Sequence, residues 1–175
     1  MDLFGLGIAI FYFLIISKSY EWICKINRKE QIVFFCYTCI SVFILEEIIT
    51  LVFSNSFALS KFLFPLVVYL YLRKLKKSEK YKAIFISLLL SLLYHSTHTF
   101  ISVTLSSIIG DEVVLHYKST FLLVVLLMTY FSILIIIRYF HLDIKYFDKD
   151  YLYPFLKKVI VAFFGLHILL FISDI

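Results

Sequence analysis

Six long, mostly apolar stretches limit what this chain can fold into: Leu3–Tyr20, Gln31–Phe53, Ser56–Leu72, Ala83–Ile109, Ser119–Ile137 and Val159–Ser173. A helix needs about 20 mostly apolar residues to cross the hydrocarbon core of a bilayer. The stretches are continuous rather than alternating, which selects helices over barrel strands. The fourth exceeds that length and predicts a tilt or a projection beyond the lipid, while the sixth is short. Composition removes the competing classes. The 175 residues are 62% hydrophobic and 17% charged, with a mean hydropathy of +0.98. A soluble domain is about 45–50% apolar and about 25% charged. A soluble core of this size cannot hide 20 Phe and 13 Tyr, and disorder requires low hydrophobicity. Four Gly and two Pro exclude collagen-like and loop-rich folds. The sequence predicts an all-α, polytopic helical membrane bundle with six transmembrane helices, no internal repeat and no second domain.

The basic residues set the orientation. Lys18 lies in the last turn of the first stretch and Lys25, Arg28 and Lys29 follow it, and Arg73, Lys74, Lys76, Lys77, Lys80 and Lys82 follow the third. Arg138, Lys145, Lys149, Lys157 and Lys158 follow the fifth, so of 17 Lys and Arg only Lys61 and Lys118 fall on the other side. The positive-inside rule places the crowded side in the cytoplasm and the N-terminus outside. The net charge of +5 is then a property of the cytoplasmic face, and no nucleic-acid partner is expected. Only Asp2 precedes the first stretch, so the basic n-region of a secretory signal is missing. The outer connections, Ser54-Asn55 and Gly110–Lys118, are too short for a folded ligand-binding domain.

Ionisable residues inside spans are costly and mark candidate sites. Glu46 and Glu47 lie about 22–24 Å along the second span, in the outer leaflet, and Lys61 lies about 8 Å below the outer surface on the third. These depths predict an ion pair between Lys61 and Glu46 or Glu47, with the other carboxylate facing a cavity open to the outside. The structural alternative is a snorkelling Lys61. Ser87, Ser91, His95, His98, Ser102 and Ser106 recur every three or four residues, a polar stripe suited to interhelical packing. His95 and His98 lack a clear third ligand, so no metal and no cofactor are expected. Cys24, Cys36 and Cys39 read as buried small hydrophobes rather than a redox motif.

Paired glutamates with separate histidines raise an enzyme alternative, an intramembrane CAAX-type hydrolase. That pattern requires an Arg four residues after the second Glu, where Leu51 stands. It also requires a Phe four residues before a His, where Ser91 and Tyr94 stand. A transporter is supported by no pair of Gly- or Pro-broken spans.

The opening Met1-Asp2-Leu3-Phe4-Gly5, the loop Ile26-Asn-Arg-Lys-Glu30 and the run Phe62-Leu-Phe-Pro-Leu66 carry a family resemblance. So do Ser87 through Tyr94, Ser96-Thr97-His98, and Tyr146 through Val159. Along nearly the whole chain these residues resemble the streptococcal competence-stimulating-peptide receptors, the ComD-type sensor histidine kinases. The resemblance implies a multi-pass protein of the bacterial cell membrane, membrane lipid around it, and a homodimer in the full-length receptor. It implies a quorum-sensing two-component system in which a seventh span and a cytoplasmic histidine kinase follow this sensor region and act on a response regulator. The phosphoacceptor helix and ATP-binding motifs are missing from these residues, so the chain itself is not expected to be an enzyme. A truncated, non-signalling membrane remnant is the structural alternative. The family's ligand is a short, cationic, secreted peptide pheromone. Its charge complements the acids expected outside, so Glu46, Glu47, Asp111 and Glu112 are the expected rim of a peptide site, with His116 and Phe57 beside them.

Overall fold

Asn27 shows how the chain turns back on itself. Its backbone carbonyl accepts from the Gln31 amide at 3.0 Å, and its side-chain Oδ1 accepts from the Glu30 amide at 2.9 Å. This is an N-cap, which satisfies amides that the first turn of a helix leaves unpaired. Just before it, Lys25 takes a left-handed φ of 50° that ends the preceding helix. The computed structural model describes residues 3–52 and 57–140, with Leu142, Lys158, Val161, Ala162 and Gly165. Among them every element is helical: α1 (Leu3–Cys24), α2 (Arg28–Val52), α3 (Phe57–Leu70), α4 (Lys80–Ile109), α5 (Asp111–His116) and α6 (Lys118–Tyr139).

Four of these helices are long and apolar enough to cross a membrane, over Leu6–Cys24, Arg28–Ile48, Lys80–Ile109 and Lys118–Tyr139. The third predicted span is built differently. Pro65 lies inside α3, where it removes an amide from the helical ladder. After 14 residues the α-helix passes into a π turn, Tyr71–Leu75. The Lys76 amide donates back to the Tyr71 carbonyl at 3.2 Å and the Ser78 amide to Leu72 at 2.9 Å. The sixth predicted span lies outside the described residues except for helical Val161, Ala162 and Gly165. The expected loop Gly110–Lys118 is largely helical instead. Gly110, at φ +90°, ends α4 and the chain restarts at once as α5. Asp111 and Glu112 in the first turn of α5 favour the restart, since carboxylates stabilise a helix N-terminus.

Short connections make neighbours antiparallel. The helices form a ring in the order α1, α2, α3, α4, α6 and back to α1, with α1 and α4 also touching. The interior is continuous, from Phe13, Ile16 and Tyr20 of α1 to Phe34 of α2, Phe64 of α3 and Ile133 of α6. The outer faces are as apolar as the interior. On α2, Ile32, Cys36, Ile40, Ile44 and Ile48 recur at one-turn spacing, all exposed, with Ile40 at 59%. On α6, Phe131 is 58% and Ile135 66% exposed. Large outward apolar faces are unfavourable in water and ordinary against lipid. Cys36 therefore departs from the expected buried position, because it belongs to this outward stripe; Cys24 and Cys39 are half-buried.

Near the π turn, Tyr20, Phe34, Tyr37 and Tyr71 interlock. Phe34 lies 4.3 Å from Tyr20 and 5.1 Å from Tyr71 between ring centroids, and Tyr37 lies 5.3 Å from Tyr71. The Tyr71 hydroxyl is buried with no hydrogen-bond partner among the described residues. A buried, unsatisfied polar group costs about 1–3 kcal/mol. Tyr71→Phe keeps the ring and removes the orphan, so it should raise stability by about 1 kcal/mol. Thermal unfolding in detergent checks this; a lower midpoint for Y71F would show that the hydroxyl is satisfied.

Candidate functional site

The topology divides the polar residues between the two ends of the bundle. One end gathers the close of α1, the start of α2, the π turn, the start of α4 and the close of α6. It carries Lys25, Arg28, Lys29, Arg73, Lys74, Lys76, Lys77, Lys80, Lys82 and Arg138. Two contacts tie this end together. Lys76 is ion-paired with Glu30, joining the π turn to the first turn of α2, and Arg73 Nη1 donates to the Ser78 carbonyl at 2.6 Å.

The opposite end carries the close of α2, the start of α3, the close of α4, all of α5 and the start of α6. Glu46, Glu47, Asp111, Glu112 and His116 all belong to it, with Lys118 as the counter-charge. Asp111, Glu112 and His116 are exposed on α5, and His116 packs edge-on against Tyr117 at 4.6 Å. Adjacent residues on a helix point about 100° apart, and this separates the two glutamates. Glu47 is exposed beside Ile44 and Ile48, while Glu46 is half-buried. The side chains of Lys61 and Phe57 lie outside the described residues, so the expected ion pair and the aromatic flank of the site fall there too.

Glu46 lies within electrostatic range of Tyr12 of α1, and Tyr12 belongs to an aromatic and imidazole cluster. The Tyr12 ring meets Tyr94 edge-on at 4.4 Å and Phe64 at 5.9 Å, and lies 6.4 Å from His95. Tyr94 stacks on His98 at 5.5 Å, one turn along α4. Three helices, α1, α2 and α4, thus bring together a carboxyl, two phenol hydroxyls and two imidazoles, with Phe64 of α3 against Tyr12. Such a set can accept hydrogen bonds from a cationic or amide-bearing side chain that enters from the acidic end.

The serines of the predicted stripe are placed as follows. Ser87 and Ser91 are buried, and Ser102 and Ser106 are half-buried. The Ser87 hydroxyl donates to its own helix, at the Ile84 carbonyl (2.8 Å), and Ser106 donates to Val103 (3.1 Å). Their small size permits close packing, while these two hydroxyls serve the helix backbone. Among the described residues, no three His, Cys, Asp or Glu side chains converge as metal ligands. Tyr12, Tyr94 and Phe64 are the members that sequence reasoning missed. The available signal was a phenol at mid-span in both α1 and α4.

No protein-family model matches the chain, and no curated protein and no solved structure is significantly similar to it.

Proposed function

We propose that this chain is the membrane sensor region of a peptide-pheromone receptor of the quorum-sensing, two-component type. It crosses the bacterial cell membrane six times with its N-terminus outside. In the full-length receptor the signal passes to a cytoplasmic histidine kinase and on to a response regulator. The observation that carries this reading is the segregation of charge, with lysines and arginines at one end of the bundle and Glu46, Glu47, Asp111 and Glu112 at the other. A basic cytoplasmic end orients the chain, and an acidic outer end suits a short, cationic, amphipathic peptide. Asp111 and Glu112 steer its approach. Glu46, with Tyr12, Tyr94, His95 and His98 behind it, holds a cationic or polar side chain once the peptide's apolar face has docked among the helix ends.

Peptide binding tests this. The purified chain in nanodiscs is titrated with a panel of short cationic amphipathic peptides and with scrambled peptides of the same composition. At least one peptide should bind saturably where its scrambled version does not. Asp111→Asn with Glu112→Gln should slow association several-fold and flatten its salt dependence, and Glu46→Gln should chiefly speed dissociation. Scrambled peptides that bind equally well, or binding unmoved by these substitutions, would refute the reading.

A further inference from the structure

A cavity of about 360 Å³ opens between α1 and α2 on the periphery of the basic end. Its polar lining is Ser17, Lys18, Arg28 and Gln31, and its apolar lining is Leu14, Ile32 and Phe35. The two linings lie at different depths. Leu14 is one turn deeper than Lys18 on α1, about 6 Å, and Phe35 is seven residues deeper than Arg28 on α2, about 10 Å. The cavity is therefore cationic at its rim and apolar below, where Leu14 and Ile32 are themselves exposed.

The polar groups are built in. Ser17 is fully buried and Gln31 is 7% exposed; Gln31 Nε2 donates to Ser17 Oγ at 3.4 Å, and Ser17 Oγ donates to the Leu14 carbonyl at 3.0 Å. Lys18 is held at 2.6 Å by Glu21, which fixes the ammonium beside the cavity and offsets part of its charge. Arg28 has no ion-pair partner among the described residues, so its guanidinium fork is the main unspent charge at the rim. A guanidinium with an ammonium and an amide beside it matches a phosphodiester, and the apolar floor matches the first part of an acyl chain.

We infer that this cavity is a site for an anionic phospholipid, with the phosphate held at the rim by Arg28 and Lys18 and an acyl chain running down past Leu14, Ile32 and Phe35. The site rests on the bilayer reading of the chain and is independent of the peptide. A bound lipid would brace α1 against α2 at the end where the π turn and the Lys76–Glu30 pair also converge.

Native mass spectrometry of the purified chain, reconstituted in equal parts phosphatidylglycerol and phosphatidylcholine, tests the site. The chain should retain phosphatidylglycerol over phosphatidylcholine by about fivefold or more, since each Lys or Arg near a lipid phosphate contributes about that factor. Arg28→Gln and Lys18→Gln should each remove most of this preference. Lys74→Gln, an exposed cation of the same end away from the cavity, should change it less than twofold. Ile32→Trp, which fills the floor from an exposed position, should reduce retention of both lipids, with an unchanged melting temperature confirming that the variant folds. Displacement of the lipid by millimolar inorganic phosphate would overturn the lipid assignment in favour of a free anion. A preference equal in R28Q, K18Q and K74Q would overturn the site alone. Failure to recover the chain in membranes at all would overturn the bilayer reading and the site with it.

Discussion

Phe34→Ala should cost the bundle about 3 kcal/mol, the low end of the range for truncating a buried phenylalanine. The ring is fully buried, and α1, α2 and the π turn meet around it through Tyr20 and Tyr71. Between helices surrounded by lipid there is little transfer from water to lose. The cost comes instead from van der Waals contacts and from a void that neighbouring rings cannot close. Ile40→Ala is the matched control. Ile40 is 59% exposed on the outward face of α2, so truncation exchanges side-chain contacts for lipid or detergent contacts and should cost less than about 0.5 kcal/mol. Unfolding by denaturing detergent measures both. Equal losses for the two variants would mean that the inward and outward faces of α2 are wrongly assigned.

The same contrast shows what the sequence makes legible. Long apolar runs mark helices whatever surrounds them, so α1, α2, α4 and α6 match predicted stretches to within four residues at each end. Which face of such a helix turns inward is another matter. In lipid both faces are apolar, and the amphipathic signal that orients a helix in water is weak. Cys36 and Ile40 therefore point outward with no mark in the sequence, and the choice between Glu46 and Glu47 depends on a 100° rotation that hydropathy cannot register. The π turn at Tyr71–Leu75 is equally hidden, since apolar spacing of three and four does not reveal a local hydrogen bond to the fifth residue. α5 was hidden by its brevity. Six residues after a glycine, opening on two acids, share their composition with a solvated loop. The grouping of Tyr12, Phe64, Tyr94 and His95 is a product of the ring of helices, because it joins residues more than 80 positions apart in the chain.

In the proposed receptor the two ends of the bundle face opposite sides of a membrane, with the acidic end outward. Single cysteines at His116 and at Glu79, both exposed and at opposite ends, report this directly once Cys24, Cys36 and Cys39 are replaced by alanine. Intact cells are treated with a membrane-impermeant thiol reagent, and permeabilised cells serve as the reference for full reaction. H116C should react fully in intact cells, and E79C only after permeabilisation. The reverse pattern, or equal labelling of both positions in intact cells, would contradict this orientation.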